Sequence, residues 1–302
     1  MAIAGRPEWP ATVKQGIVAY LTSQESEMPE PTPNRNARGL IVLAAAIAVV
    51  ITLVLVTRTG TPPQEAGPAA TPEPDPIAAA VADPSRPEDE RARDAGRKPD
   101  RILAFYGVAP GMHIYEIAAG SGYYTRLLSH VVGPEGHIVA QNSERFWPRL
   151  KDRVEPLYAA LGNVEPFIGD PADYAGEPES MDAVFVVLIW HHMHYDPDAG
   201  EVLPARTVRF LDTARRLLKP GGTLAIVEHE AADGTTRAES AGWHRAPKQM
   251  TIEDVTAHGF ALVAESDALT NPDDDLRNYW REALPKRDSS QRFVLKFVKP
   301  AA

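Results

Sequence analysis

The stretch Ile114 to Thr125, IYEIAAGSGYYT, constrains this chain more than any other. An apolar run ends on the acidic Glu116, passes through Ala118, Gly120 and Gly122 at every second position, and enters a helical pattern. In that pattern Tyr124, Leu127, Leu128 and Val131 fall at i, i+3, i+4 and i+7, one face of an amphipathic helix. A strand, a tight small-residue turn and a helix N-terminus let the backbone approach a nucleotide closely, with N–H groups facing it. A dinucleotide-binding turn wants G-x-G-x-x-G, and the corresponding positions here are Ala118, Gly120 and Tyr123. The missing third glycine argues against a nicotinamide oxidoreductase.

The chain is long enough for one large domain or two small ones, and its 44% hydrophobic content supplies a normal core. A net charge of −10 leaves no basic stripe for phosphates, which argues against a nucleic-acid partner. With no cysteine, thiolate catalysis and Cys-ligated metal are excluded.

Residues 39–57, GLIVLAAAIAVVITLVLVT, carry no charge and as a helix would reach about 28 Å, close to the hydrocarbon thickness of a bilayer. Arg35 and Arg38 precede this run and Arg58 follows it. The bias places the amino terminus in the cytoplasm and the remainder on the far side, as a single-pass anchor. The rival reading is a cleaved signal peptide, with Met28 as the start of its n-region. The expected organisation is a polar tail at 1–38, a transmembrane helix at 39–57, a Pro/Ala/Glu-rich linker at 58–86 and a folded domain at 87–302.

Within the domain, helical and strand patterns alternate, which argues for a doubly wound α/β sheet with helices on both faces. Strands are expected at 113–117, 137–140, 164–168, 183–189, 223–227, 260–265 and 292–298. A helix from Ala205 with Val208, Leu211, Ala214 and Leu218 inward should stop at Pro220, and Gly221-Gly222 should reverse the chain. In open α/β sheets, ligands bind beyond the carboxyl ends of the strands. Glu116, Asn142, Asp170, Trp190 and His229 should therefore border one crevice.

The acidic-x-small-x-Gly-x-Gly turn resembles motif I of the class I S-adenosylmethionine (SAM) dependent methyltransferases, and LKPGG at 218–222 resembles their turn before strand five. The segments RARDAGRKPDRILAFYGVAPGM and TNPDDDLRNYW, with QRFVLKFVKP near the end, narrow the similarity to an exported or membrane-anchored bacterial group of predicted methyltransferases. The resemblance covers roughly residues 87–302. It implies a Rossmann-like seven-stranded sheet with SAM as cofactor. The cofactor would be bordered by Glu116, Ala118, Gly120, Gly122, Tyr123, Asn142, Asp170 and Trp190. Asn142 departs from the carboxylate usual at the end of strand two, and an amide gives up a charge-assisted bond to the ribose.

A methyl acceptor that must lose a proton suits a histidine, and His191, His192, His194, His229 and His244 cluster after two strand ends. His191 and His229 are the expected catalytic residues, with Arg245 as a clamp for an anionic substrate. The imidazoles with Glu228 or Glu230 would suit zinc or iron by ligand type. His191 and His192 are expected on an extended segment where their side chains diverge, so no metal is expected. Leu276 to Trp280, with Trp243, forms either an aromatic lid or a surface helix. The acceptor is expected to be a small or lipid-like molecule. The alternative is a methyltransferase-like binding module without catalysis.

Overall fold

The computed structural model describes residues 75–281 and 288–301. The expected membrane span and amino-terminal tail lie outside them. Among the described residues no helix is long and apolar enough to cross a membrane.

The domain begins earlier than expected. Within the stretch assigned to linker, Asp75 caps helix α1 (Pro76–Ala82) by accepting from Ile77 N–H at 3.0 Å, and Ile77 and Ala80 are buried. Two single-turn helices follow, α2 (Glu88–Arg91) and α3 (Asp94–Arg97). Then α4 (Pro99–Tyr106) starts on the proline and stops at Gly107, whose φ of 76° terminates it in the left-handed region.

From there strands and helices alternate: β1 (His113–Ile117), α5 (Tyr123–Val132), β2 (His137–Asn142), α6 (Trp147–Leu161), β3 (Val164–Ile168) and β4 (Met181–Val187). The short α7 (Trp190–Met193) and the long α8 (Ala205–Leu217) lead into β5 (Leu218–Ala231). After α9 (Arg237–Gly242) come β6 (Ala246–Pro247), α10 (Lys248–Ala257), β7 (Ala261–Ser266) and β8 (Arg292–Val298). The sheet has eight strands in the order β3-β2-β1-β4-β5-β8-β7, with the two-residue β6 paired to β5 off that path. Pairing is parallel from β3 through β5, and β8 runs antiparallel to both β5 and β7.

Alternation along the central strands divides the core into two layers. Ala183 and Phe185 of β4, Ala225 and Val227 of β5 and Val294 of β8 pack with Ile102, Leu103, Leu127, Leu128 and Val131 from α4 and α5. The intervening Val184, Val186, Leu224, Ile226, Leu295 and Phe297 pack on the other face with Phe210, Leu211, Ala214 and Leu217 of α8. The inward face of α8 is thus set by Phe210 and Leu217 beside the expected Leu211 and Ala214, while Leu218 already belongs to β5.

The LKPGG stretch is not a free reversal. It is absorbed into β5, whose pairing with β4 jumps from Met181↔Leu218 to Ala183↔Thr223. Gly221 takes up the irregularity at φ 78°, and its N–H donates to the carbonyl of Lys299 at 2.8 Å.

The order in which the parallel strands are laid down reverses between β1 and β4. From β1 the order runs out to β3, and from β4 it runs the other way. Such a switch point opens a crevice at the carboxyl ends of the two strands. Two non-glycine residues with positive φ flank it, Ala118 at 49° after β1 and Leu188 at 57° after β4. Strain of this kind persists where surrounding structure enforces it, and it gathers at functional sites.

Candidate active site

Two cavities meet at this switch point. The first, a cleft of about 500 Å³, is lined by Ala118 and Gly120 after β1, Gln141, Asn142 and Ser143 at the end of β2, and Asp170 after β3. Phe146 and Leu150 close one side, and Ile189, Met193 and Phe210 the other. Of the residues expected at the cofactor, Ala118, Gly120, Asn142 and Asp170 line this cleft. Sequence reasoning missed the apolar walls, because those residues are scattered over α6, α7 and α8 and carry no local motif.

The turn after β1 is held from inside. Ala118 N–H donates to Gln141 Oε1 at 2.8 Å and Gly120 N–H donates to Asn142 Oδ1 at 2.9 Å. Asn142 is buried, with its amide nitrogen 3.4 Å from the Tyr158 hydroxyl. The amide thus fixes the shape of the turn, and its carbonyl oxygen is already engaged. Ser143, next along the chain, lines the cleft with a hydroxyl that makes no hydrogen bond among the described residues. The exposed Asp170 accepts from Ala172 N–H through Oδ1 at 2.8 Å.

Four expected cofactor residues lie elsewhere. Glu116 is buried behind the turn and accepts from Thr125 Oγ1 at 2.6 Å. Burial raises its carboxyl to about 7, against the opposing hydrogen bond from Thr125 and the charge of Arg97. Gly122 is the N-cap of α5 at φ 87°, and a Cβ there would meet Leu157 Cδ2 at 2.5 Å, so this glycine serves close packing. Tyr123 is buried, not free to cover a ligand: its hydroxyl donates to Asp94 Oδ1 at 2.6 Å, and the Arg97 guanidinium lies 4.6 Å from its ring centre. Trp190 is fully buried in the second core layer.

The second cavity, about 350 Å³, is a histidine chamber. Its walls include Leu188, His191 and His192 from the end of β4, His229 from β5, His244, and the Tyr279-Trp280 pair. Arg93, Arg97 and Asp288 close another side. The Trp280 ring stacks on His229 at 4.4 Å and 13° between planes, and Tyr279 meets His244 edge-on at 5.1 Å. Of the two readings of Leu276 to Trp280, the structure gives the aromatic cover.

His191 and His192 lie on the helical turn α7 rather than on an extended segment, and their rings converge with centroids 4.2 Å apart. The rings of His191 and His244 are 5.1 Å apart, and those of His192 and His244 are 4.9 Å apart. The buried Glu228 carboxylate anchors the group. It accepts from His191 N–H at 3.0 Å and His229 N–H at 2.7 Å, and pairs with His191 Nδ1 at 2.9 Å. His229 Nδ1 shares a 2.6 Å hydrogen bond with Ser290 Oγ. Burial first, then the charge of His191, pushes His229 well below the ordinary histidine value. The same causes bring His192 down to about 4. His194 is buried away from the chamber, with burial as the main cause of its fall to about 3.

Arg245 is no clamp for an anion. It is fully buried and forms a bidentate pair with the equally buried Asp274, at 3.0 and 2.9 Å. Its remaining donors go to the carbonyls of Asn278 and Glu230, both at 2.8 Å. The residue holds the cover segment in place. Glu230 points to a different side and accepts from Gln291 Nε2 at 3.0 Å.

His192 lines both the cleft and the chamber, so the two cavities abut at one imidazole.

Comparison with known proteins agrees with this geometry. The methyltransferase domain family matches residues 115–226, from β1 into β5. The ubiquinone/menaquinone biosynthesis C-methyltransferase UbiE of Pseudomonas savastanoi is 31% identical over 180 residues, covering 59% of this chain and 60% of its own length. The UbiE of Pseudomonas fluorescens is 32% identical over 124 residues, 40% of this chain and 43% of its own length. The chain thus spans about half the length of these curated relatives. Among solved structures, a Haloferax volcanii protein described as a methyltransferase, in complex with the Trm112 methyltransferase activator, superposes with a TM-score of 0.50 at 17% identity. The match covers 74% of this chain and 97% of that one. A Galdieria sulphuraria protein described as a sarcosine dimethylglycine methyltransferase gives 0.50 at 16% identity, covering 70% and 88%. Strand order and these structural matches show the class I methyltransferase fold, and residues 115–226 within it match the methyltransferase domain family.

Proposed function

We propose that this protein transfers a methyl group from SAM, held in the cleft, to a small or lipid-like acceptor held in the histidine chamber. The observation that carries the reading is His192, which lines both cavities and so puts the donor site next to the acceptor site. Both cavities have volumes suited to small molecules. The names of the UbiE relatives point to the same reaction class.

The cleft fits SAM chemically. Phe146, Leu150, Pro171 and Ile189 offer apolar surface to an adenine ring. Asp170 Oδ2 makes no hydrogen bond among the described residues and can accept from the exocyclic amine. Ser143 offers a hydroxyl to the ribose in place of the usual carboxylate. When bound, SAM supplies an electrophilic methyl group on a sulfonium. The protein's own part is alignment, since an in-line displacement gains most from positioning. His229 is the proton acceptor we assign. Its Nδ1 is engaged by Ser290, leaving Nε2 without a partner among the described residues.

A second reading, a methyltransferase-like binding module without catalysis, is favoured by Asn142, whose carbonyl oxygen is taken by Gly120 N–H. Calorimetry of the detergent-solubilised full chain with SAM separates the two. Binding in the wild type and its loss in Gly120→Val, at a left-handed position on the cleft wall, supports the first. No heat and no thermal shift at millimolar SAM would remove the enzyme reading.

We further propose that residues 39–57 anchor the protein in a membrane with the domain on the extracytoplasmic side. The uncharged run and its flanking arginines support this orientation. Because SAM is made in the cytoplasm, the orientation bears directly on the cofactor. A reporter fused after residue 302, active only inside or only outside the cell, decides it.

A further inference from the structure

We propose that His191, His192 and His244 bind a divalent transition metal of the zinc class, with an open coordination position facing the histidine chamber. One ring nitrogen from each of the three lies within 4.8 Å of the others. A tetrahedral shell at ordinary Zn–N distances sets ligand nitrogens roughly 3.3 Å apart, so small ring rotations close the site.

Three further observations point the same way. The rings of the exposed His192 and the half-buried His244 make no hydrogen bond among the described residues, so their nitrogens are free to ligate. His244 holds its place through a left-handed backbone at φ 53°, a conformation that a non-glycine residue adopts only when its surroundings enforce it. Most informative is Glu228. Its carboxylate is 0% exposed and receives two backbone N–H groups and the His191 imidazole, with no Lys or Arg of the described residues among its hydrogen-bond or ion-pair partners. A carboxylate that engages one ring nitrogen of a histidine fixes the tautomer and presents the other nitrogen to a metal. A dication on His191 would supply the positive charge that this buried anion lacks.

Three protein ligands and a cavity on the open side describe a reactive metal site rather than a structural one. The open position would take an oxygen donor of the acceptor. That last clause rests on the methyl-transfer reading; the metal site itself does not.

The test uses untagged full-length protein in detergent. After chelator treatment it is titrated with Zn²⁺ by calorimetry and with Co²⁺ by visible spectroscopy, and SAM binding is measured in parallel. One equivalent of Zn²⁺ and a four- or five-coordinate Co²⁺ spectrum are expected. His244→Ala should weaken Zn²⁺ by at least about 100-fold, and Glu228→Gln by about 10–100-fold. His137→Ala, at the amino-terminal start of β2, the end of the strand away from the chamber, should change neither. Near-ultraviolet circular dichroism checks that each variant is folded. If His244→Ala does not fold, His192→Ala replaces it. Wild-type protein that takes up no Zn²⁺, or folded His244→Ala and His192→Ala that bind it as wild type does, overturns the proposal. Metal uptake without SAM binding would sink the methyl-transfer reading and leave the metal site standing.

Discussion

Replacing Arg245 with methionine tests whether this residue supports the cover over the chamber or meets a substrate. The substitution removes four hydrogen bonds, two to Asp274 and one each to the carbonyls of Asn278 and Glu230. Asp274 keeps the backbone N–H groups of Leu276 at 3.2 Å and Gln291 at 2.8 Å, and loses its one ion-pair partner among the described residues while its side chain is fully buried. Breaking a buried pair from one side costs about 3–5 kcal/mol, because the abandoned charge stays desolvated. For a domain of this size each kcal/mol moves Tm by about 2–4 °C, so a fall of about 6–20 °C is expected. Scanning calorimetry on the solubilised chain reads it. The double variant Arg245→Met with Asp274→Leu should recover much of the loss, since neither charge is then stranded. If Arg245→Met keeps the wild-type Tm to within about 2 °C while affinity for an anionic ligand collapses, the structural role is wrong and the clamp reading returns.

Glu116→Gln should change how stability depends on pH. The folded carboxyl titrates near 7 against an ordinary value of 4.5, so the folded state holds its proton over that interval. Wild-type stability from this group is therefore full below about pH 4.5 and is lost as pH rises through 7, by up to about 3 kcal/mol. The variant should lose that dependence, and urea midpoints at pH 5 and pH 8 will show whether it does. Ala118→Gly, at a φ of 49°, should change stability by no more than about 1 kcal/mol in the favourable direction, because relief of the left-handed strain competes with added chain entropy. A loss above 2 kcal/mol in chemical denaturation would contradict this. Trp280→Ala should uncover His229 and make its ring accessible to diethylpyrocarbonate; unchanged modification kinetics would mean the stack does not shield it.

Much of the fold was legible because its signals are local. The acidic strand end, the glycine turn and the face of α5 all lie within Glu116 to Val131, and the seven long strands follow period-two or continuous apolar runs. Local reasoning failed where distant segments decide. Tyr123 follows the glycine turn, yet its burial comes from Asp94 and Arg97, on a helix that precedes β1. Arg245 reads as a loop cation, and only the fold reveals Asp274 beneath it. The convergence of His191 and His192 turned on a single helical turn, α7, too short to leave a periodicity. The resemblance supplied candidate positions for the cleft. It could not say that Glu116 and Gly122 serve the turn from behind.

The placement of β8 between β5 and β7 has a consequence for biogenesis. Residues 292–298 follow every other strand of the sheet in sequence, yet they pair with both β5 and β7. Until they arrive, β5 presents a bare parallel-sheet edge and β7 has nothing to join. Closure of the sheet therefore waits on the strand that follows all the others in sequence.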